Sequence, residues 1–415
     1  MKKLKRKIYN IAKTAGDKLG FDLPYFVENG FWMLLNQAVS LFAGLITSVL
    51  FARFFTQEVY GAYQLVLAII AFFSFFSVPG LNPALIRSIA KGNDGDFNIS
   101  VKIAFKFSFI GSFLILVVAA YYYFKDENVV SYSLIFSALI FPFLYSFDKW
   151  MALLKAKEKF ETFTKNNILI TTGKSSLIIA AIFLFPDYLL PALLAYLAGT
   201  AFFNIVLHFK TKKYIENDKK GNDTLSYAGF ITKLSVLNTL VNHFDKILIG
   251  ILDIKALAVY SIALGLINII KSFIKSVTAI TFPKFAKYKI KISFIQRSVI
   301  FVTGIIFSLA FYFIADDLVR LLYTEKYLYS AKYFKIFVWI IPLFLISSVL
   351  SKKMLAEKNE KKLIHTKITV PVITLISSLS VYFFTKSIEW FVYTKFFVFN
   401  ILNYIVLTVS FKTKS

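Results

Sequence analysis

The segments NGFWMLLNQAVSLFAGLITSVLFA (residues 29–52) and YGAYQLVLAIIAFFSFFSVPGLNPALI (residues 60–86) are apolar stretches separated by seven residues that include Arg53 and Glu58. Each is long enough for a membrane-spanning helix, which needs about 20 mostly apolar residues. A β-barrel would instead show alternating segments of about ten residues. Similar stretches recur about twelve times in this chain of 415 residues. The sequence therefore predicts an all-α polytopic membrane protein with about twelve transmembrane helices.

Composition supports this fold class and limits the chemistry. Hydrophobic residues make up 58% of the chain and the mean hydropathy is +0.67, so a soluble domain would lack polar surface to cover its core. The chain has no cysteine, which excludes disulfides, thiolate metal sites and a cysteine nucleophile. The three histidines, His208, His243 and His365, do not fall at metal-ligand spacing. We therefore predict neither a metal site nor a cofactor.

The apolar stretches divide into two groups of six. The first group covers residues 29–52, 60–86, 103–124, 129–153, 166–185 and 188–209, and the second covers 227–252, 256–282, 298–315, 333–350, 366–385 and 390–411. This arrangement predicts two six-helix lobes around a central cavity. The predicted parts are a basic cytosolic segment (1–28), a first lobe (29–209), a cytosolic connector (210–226), a second lobe (227–411) and a cytosolic tail (412–415).

The basic residues indicate how the chain is oriented in the membrane. Of the 48 Lys and Arg residues, 31 lie on the side that carries both termini and 7 lie on the opposite side. Cytoplasmic loops are enriched in Lys and Arg, so both termini are predicted to be cytoplasmic. The net charge of +25 is then largely a topology signal, and no nucleic-acid partner is needed to explain it.

The two halves of the chain contain a weak internal repeat. Residues 50–63 align with residues 247–260 at an offset of 197, which places Tyr63 on Tyr260. The same offset places Arg87 on Lys284, each at the inner end of a predicted span. Repeats in the same orientation commonly form the two lobes of transporters.

These segments, with the stretches PGLNPALIR (79–87) and DKILIG (245–250), resemble the multidrug, oligosaccharidyl-lipid and polysaccharide exporter superfamily. Within it, the chain resembles the O-antigen and capsular polysaccharide flippases over nearly its whole length. The resemblance implies alternating access between two lobes, with the lipid tail in the bilayer and the sugar in the central cavity. It also implies the bacterial cytoplasmic (inner) membrane as the location.

Polar residues recur on one face of three predicted spans. Spacings of three, four or seven residues place the members of each set on the same side of a helix. Span eight carries Asn268, Lys271, Lys275 and Thr278, span seven carries Ser235, Asn238, Asn242 and Asp245 with Lys246 next in sequence, and span one carries Asn29, Asn36, Ser40 and Thr47. The first lobe is therefore expected to contribute mainly neutral groups, and the second lobe a basic stripe.

A cavity lined by Lys246, Lys271 and Lys275, with Asn238, Asn242 and Asn268, would suit an anionic headgroup such as a lipid diphosphate. Arg87 and Lys284 could guide that headgroup at the cytosolic mouth. The alternative is that Lys246 pairs with Asp245 and that Lys275 extends toward the interface, as long side chains do.

Asp245 has two open interpretations. A carboxylate inside a membrane can change protonation as access alternates, which makes Asp245 the candidate for ion coupling. It can equally form a structural ion pair with Lys246 or another lysine. Lys174 in span five and Lys395 in span twelve are further intramembrane lysines, and we interpret both as local or lateral features.

The predicted function is a flippase, not an enzyme, that moves an undecaprenyl-diphosphate-linked oligosaccharide from the cytosolic to the outer leaflet. Its expected partners are that lipid, membrane lipids and polysaccharide assembly proteins. One alternative is a cation-coupled multidrug or organic-cation exchanger of the same superfamily. The other is a polysaccharide polymerase or ligase, which the short outer connections argue against, since the longest covers only about residues 316–332.

Overall fold

A computed structural model of the protein describes residues 23–279, 293–356 and 360–406. It describes their side chains except at residues 23–29, 279, 294, 352–367 and 399. Regular structure in the described residues is helical, with no strand among them. The predicted all-α fold class is therefore confirmed.

Among the described residues, eight α-helices precede the connector. They are α1 (Leu23–Phe54), α2 (Gln57–Phe73), α3 (Leu81–Ala90), α4 (Asp96–Tyr123), α5 (Asn128–Ser146), α6 (Trp150–Ala156), α7 (Phe160–Leu184) and α8 (Leu189–Thr211). We refer to this region as the first half. Its helices pack mainly on one another, with the most extensive contacts between α4 and α5, between α1 and α7, and between α7 and α8.

The second half begins after the connector. Its described elements are α9 (Thr224–Leu252), α10 (Ile254–Ala279), α11 (Phe294–Tyr323), α12 (Tyr329–Phe337), α13 (Ile341–Ala356), α14 (Glu360–Phe384), α15 (Ile388–Thr394) and a π-helix (Lys395–Leu402). Within the described residues, 9 helical segments are long and apolar enough to cross a membrane. They correspond to predicted spans one to six and eight to ten. Helices also lie at the other three predicted positions, and the total of twelve, the lobe boundaries and the cytoplasmic termini stay predictions.

Three predicted spans are each divided into two helices. Span two breaks before Pro79, which cannot donate a backbone hydrogen bond and disfavours helical geometry in the residue before it. That residue, Val78, has a left-handed backbone with φ 54°. A 3₁₀ turn at Phe147–Lys149 divides span four, and another at Val338–Ile340 divides span ten just before Pro342.

The two halves meet where α2 and α3 pack against α9 and α10. Two glycines allow the backbones to approach closely. A Cβ atom at Gly61, near the start of α2, would overlap the carbonyl of Ile254, and a Cβ atom at Gly80, just before α3, would overlap the carbonyl of Ala228. By the predicted orientation, Gly61 lies near the outer face and Gly80 near the cytosolic face. The halves therefore touch near both faces of the membrane.

The connector is held against the first half by two buried carboxylates, Asp94 and Asp96. The Asp96 carboxylate accepts hydrogen bonds from the Gly221 backbone N–H at 3.1 Å and from the Thr224 hydroxyl at 2.6 Å. The Ser88 hydroxyl donates to the same Asp96 oxygen at 2.5 Å. Asp96 thus ties the first residue of α9 to α3 and α4.

Asp94 makes the second attachment. Its carboxylate accepts from the Glu216 backbone N–H at 2.8 Å and pairs with Lys157 at 2.8 Å. Burial lowers the pKa of Lys157, but hydrogen bonds to Asp94 and to the Glu216 carboxylate outweigh this effect and leave the pKa raised. We call Asp94, Asp96 and the connector groups that they bind the connector clamp.

The clamp leads to a first prediction. Asp96→Ala removes the acceptor for three donors, two of which, the Ser88 and Thr224 hydroxyls, are buried, and this loss costs about 1 to 3 kcal/mol. We expect tryptic cleavage after the exposed Lys219 and Lys220 to accelerate about tenfold, because local opening of the connector becomes more frequent. Limited proteolysis of purified protein measures this rate. Asp317→Ala, at an exposed carboxylate of α11, is the control, and equal cleavage of both variants would contradict the prediction.

Candidate substrate site

A cavity of about 360 Å³ lies within the first half, bounded chiefly by α1, α2, α7 and α8. Its walls combine hydroxyl and amide groups with aromatic rings, and they include Ser40, Thr47, Tyr60, Tyr63, Gln64, Asn167, Thr171, Lys174, Ser175, Tyr196 and Thr200. Among the described residues that line it, Lys174 is the only cation and there is no carboxylate. We call it the first-half cavity.

Part of the polar face predicted for span one is found at this cavity. Ser40 lines it, and the Asn36 side-chain oxygen accepts a hydrogen bond at 2.7 Å from Asn167, which also lines it. Thr47 lines it as well, although its hydroxyl donates to the Ala43 carbonyl. The side chain of Asn29 lies outside the described residues. The neutral face of α1 is therefore directed toward α7.

A second cavity of about 290 Å³ lies where the halves meet. Helices α2, α5 and α8 line one side, and His243 and Lys246 of α9 line the other. It shares Gln64, Tyr196 and Thr200 with the first-half cavity, so the two cavities are adjacent. We call it the interface cavity.

The ammonium of Lys246 connects the halves at this cavity. Lys246 Nζ donates to Gln64 Oε1 at 3.0 Å, and Gln64 Nε2 donates to the Tyr60 hydroxyl at 3.1 Å. Lys246 binds Asp245 through its backbone N–H, which donates to Asp245 Oδ1 at 3.0 Å. The charged end of Lys246 is thus directed at a neutral amide of the first half.

Asp245 lies in the interior of the second half and is only 3% exposed. Its Oδ2 atom forms an ion pair with Lys395 Nζ at 3.0 Å and accepts a hydrogen bond from the Tyr260 hydroxyl at 2.5 Å. Lys395 also donates to the Val241 carbonyl at 3.2 Å. Asp245 therefore joins α9, α10 and the start of the π-helix, and Tyr260 is the residue that the repeat aligns with Tyr63.

The two lysines of the predicted stripe on α10 lie near one aromatic ring. The Nζ atoms of Lys271 and Lys275 are 5.4 Å and 5.9 Å from the ring centre of Phe344 in α13. Lys271 also donates weakly to Asn400 of the π-helix, at 3.5 Å. Both lysines thus lie beside other helices of the second half. Neither takes part in the Lys246–Gln64 contact.

The three asparagines predicted with these lysines are exposed: Asn238, Asn242 and Asn268. The first two lie on α9 and the third on α10, as the predicted faces require. Lys275 is exposed as well. These groups are available to a ligand rather than used in packing.

Arg87 has partners at the predicted cytosolic mouth. It forms an ion pair with Asp223 at 3.0 Å, and its guanidinium lies 4.7 Å from the ring centre of Tyr227. Both partners belong to the region where the connector enters α9. The other predicted mouth residue, Lys284, lies outside the described residues.

The structure adds residues to the predicted site. Lys174, interpreted from sequence as a local feature, lines the first-half cavity, where its Nζ lies 5.1 Å from the ring centre of Tyr196. Gln64 lines both cavities, although a single amide among apolar residues gave no signal by itself. The spacing of Tyr60 and Gln64, four residues apart on α2, could have indicated a shared polar face.

The fold is that of membrane transporters. It resembles the structure titled "Lipid II flippase MurJ, inward closed conformation" with a TM-score of 0.68 and 16% identity, over 92% of this chain and 87% of that chain. It also resembles a crystal structure of the Vibrio cholerae MATE transporter VcmN with a TM-score of 0.56 and 12% identity, over 94% of this chain and 97% of that chain. A MATE structure in complex with MaD5 gives a TM-score of 0.62 at 12% identity, over 94% of each chain.

Sequence comparison identifies the family. Residues 26–289 match the family model described as "Polysaccharide biosynthesis protein", and the chain belongs to this family. No curated protein sequence matches the chain. Family and fold together confirm the predicted membership in the exporter superfamily, whose proteins are transporters rather than enzymes.

Proposed function

We propose that this protein is a flippase that moves an undecaprenyl-diphosphate-linked oligosaccharide, an O-antigen or capsule repeat unit, to the outer leaflet of a bacterial inner membrane by alternating access. The observation that carries the proposal is the ammonium of Lys246, placed between the halves beside a second, hydrogen-bonding cavity. The family and the transporter fold support it.

Lys246 is suited to an anionic headgroup. A charged side chain within a membrane costs at least about 2.5 kcal/mol, so it needs a strong partner. The acceptor of the Lys246 ammonium in the described structure is the neutral amide of Gln64. A phosphate oxygen is a stronger acceptor, because its negative charge adds a Coulomb attraction to the ammonium that a neutral amide oxygen lacks. The diphosphate is therefore proposed to replace Gln64 as the partner of Lys246.

The exposed polar groups on α9 and α10 extend this site. Two helices that are predicted to cross the membrane carry exposed polar side chains: Asn238 and Asn242 on α9, and Asn268 and Lys275 on α10. Polar groups in such helices usually face a protein interior or a water-filled space rather than lipid. We therefore place these groups, with Lys271, along the path of the substrate between the halves.

Asp245 is the group that we propose for ion coupling. Its carboxylate binds Lys395 and Tyr260, which lie on two other elements of the second half. A change in the charge of Asp245 would alter both contacts and so the packing of α9 against its neighbours. An ion that binds more tightly when α9 is packed in one arrangement than in the other can shift the populations of those two arrangements.

Lys246→Ala tests the headgroup site. Loss of a hydrogen bond between charged groups costs about 1.5 to 3 kcal/mol, so we expect flipping to fall at least about tenfold. The measurement is accumulation of lipid-linked oligosaccharide on the cytosolic leaflet, in a deletion strain of the native host complemented at equal expression. Lys106→Ala, at an exposed lysine of α4, is the control.

Three outcomes separate the alternatives. Full rescue by Lys246→Ala would show that Lys246 is not part of the headgroup site. Full rescue by the double variant Lys271→Ala and Lys275→Ala would show that those two lysines are not part of the substrate path. If deletion left the glycan lipids unchanged and altered sensitivity to cationic compounds, the multidrug exchanger would replace the flippase as the function.

A further inference from the structure

We propose that the first-half cavity binds a sugar that carries a carboxylate, such as a uronic acid, and that Lys174 is the partner of that carboxylate. The inference rests on the proposed flippase function and specifies its substrate as an acidic glycan. Four observations support it: the hydrogen-bonding groups of the cavity, the position of Lys174, the absence of a carboxylate among the described lining residues, and the adjacent Lys246.

The cavity offers groups that match a polyhydroxylated ligand. Hydroxyls that line it belong to Ser40, Tyr63, Thr171, Ser175 and Tyr196. Each hydroxyl can donate and accept, which suits the hydroxyl groups of a sugar. The volume of about 360 Å³ falls within the usual range for ligand pockets. The cavity can therefore hold part of a glycan in hydrogen-bonding contact.

Lys174 is deep in the membrane and has no described acid beside it. It lies 10 residues before the end of α7, or about 15 Å along the helix. Its ammonium approaches the Tyr196 ring, and it makes no hydrogen bond or ion pair with another described residue. A half-buried charge inside a membrane needs a counter-charge or strong acceptors, so the geometry assigns that place to an anionic ligand.

A carboxylate fits this environment better than the other candidate ligands. An organic cation would be repelled by Lys174 and would find no carboxylate among the described lining residues. A diphosphate carries at least two charges, whereas the cavity offers one ammonium. A sugar carboxylate carries one charge within a neutral, hydroxylated body. The ligand that matches both the single positive charge and the hydroxyl groups lining the cavity is an acidic sugar residue.

The two cavities together match one substrate. They share Gln64, Tyr196 and Thr200, so a ligand in one is next to a ligand in the other. Lys246 lines the interface cavity and Lys174 the first-half cavity. A glycan diphosphate can therefore place its diphosphate at Lys246 while its acidic sugar reaches Lys174.

The test compares two matched probes on purified protein by titration calorimetry. One is a tetrasaccharide of alternating glucuronate and N-acetylglucosamine, and the other is the same tetrasaccharide with its carboxylates reduced to alcohols. We expect wild type to bind the acidic form at least about tenfold more tightly, as a charge-assisted hydrogen bond allows. Lys174→Gln should remove that preference and leave binding of the reduced form unchanged.

Controls keep the result tied to the cavity. Lys106→Ala, a lysine substitution at an exposed position of α4, should keep the preference. Thermal unfolding of each variant checks that it is folded. The proposal is overturned if wild type binds both forms equally, if it binds neither at millimolar concentration, or if Lys174→Gln keeps the preference. It is also overturned if Lys174→Gln weakens binding of inorganic diphosphate instead of the acidic glycan.

Failure of this inference can be distinguished from failure of the flippase proposal. If the acidic preference is absent but flipping in cells still depends on Lys246, the protein is a flippase for another glycan. If deletion leaves lipid-linked glycans unchanged, the flippase proposal itself fails.

Discussion

Asp245→Asn is expected to lower the free energy of unfolding by about 3 to 5 kcal/mol, the cost of breaking a buried ion pair by removing one partner. The substitution leaves the ammonium of Lys395, 8% exposed, without its counter-charge. It also weakens the acceptor of the Tyr260 hydroxyl. Because these contacts join α9, α10 and the π-helix, the loss should affect the whole second half.

A second variant distinguishes the uncompensated charge from a simple loss of contacts. Asp245→Asn combined with Lys395→Met removes both charges and should recover most of the lost stability, because neutral replacements of a buried pair are often tolerated. Unfolding in mixed micelles, followed by the fluorescence of the 4 tryptophans, measures all variants. Asp317→Asn is the exposed control. If Asp245→Asn alone is as stable as wild type, the Asp245–Lys395 pair contributes no net stability.

Gly61→Ala and Gly80→Ala are expected to shift the protein toward opposite open states. Each added Cβ atom would overlap a backbone carbonyl of the other half, of Ile254 or of Ala228. Overpacking of this kind costs about 1 to 3 kcal/mol in the closed contact. Gly61→Ala should therefore favour opening toward the outer face, and Gly80→Ala opening toward the cytosol, each by at least about fivefold in population.

A cysteine reporter measures the shift. Since the natural chain has no cysteine, Thr200→Cys, which lines both cavities, would carry the only thiol. A membrane-impermeant maleimide applied from outside should label it faster in Gly61→Ala and more slowly in Gly80→Ala. Gly229→Ala and Gly265→Ala, where an added Cβ meets no other atom, are controls for the general effect of alanine in a helix. Equal labelling in all variants would show that these contacts do not control access.

The sequence predicted the helices and the superfamily because both depend on local patterns. Apolar length is sufficient to locate the helices, and the positions of lysine and arginine give an orientation that stays a prediction. The breaks within spans two, four and ten were less predictable. Each of these spans contains a proline, Pro79, Pro142 or Pro342, but Pro142 lies inside α5 and the 3₁₀ turn comes five residues later. A proline restricts its own turn and the residue before it, and tertiary packing decides where a long helix divides.

The predicted site residues stay predictions, and spacing identifies a helical face but not its neighbour. Lys246, Asn36 and Ser40 are at or beside the two cavities, whereas Lys271 and Lys275 lie beside Phe344. The partner of Asp245 is 150 residues away along the chain, and no local pattern indicates such a pair. The same holds for Lys174, since nothing in the sequence of α7 shows that a cavity adjoins it.

The connector clamp restricts how the side that is predicted to be cytosolic can open. It fixes the first residue of α9 to the first half, and Thr232 extends the attachment by accepting from the Gly80 backbone N–H at 3.1 Å. About 20 Å further along, Asp245 fixes the same helix to the second half. Between them the hydroxyls of Ser235 and Thr239 bond to carbonyls four residues earlier, a contact that often bends helices. Separation of the halves at the cytosol therefore requires release of the clamp or elastic bending of α9, and the stiffness of one helix would then limit the rate of the cycle.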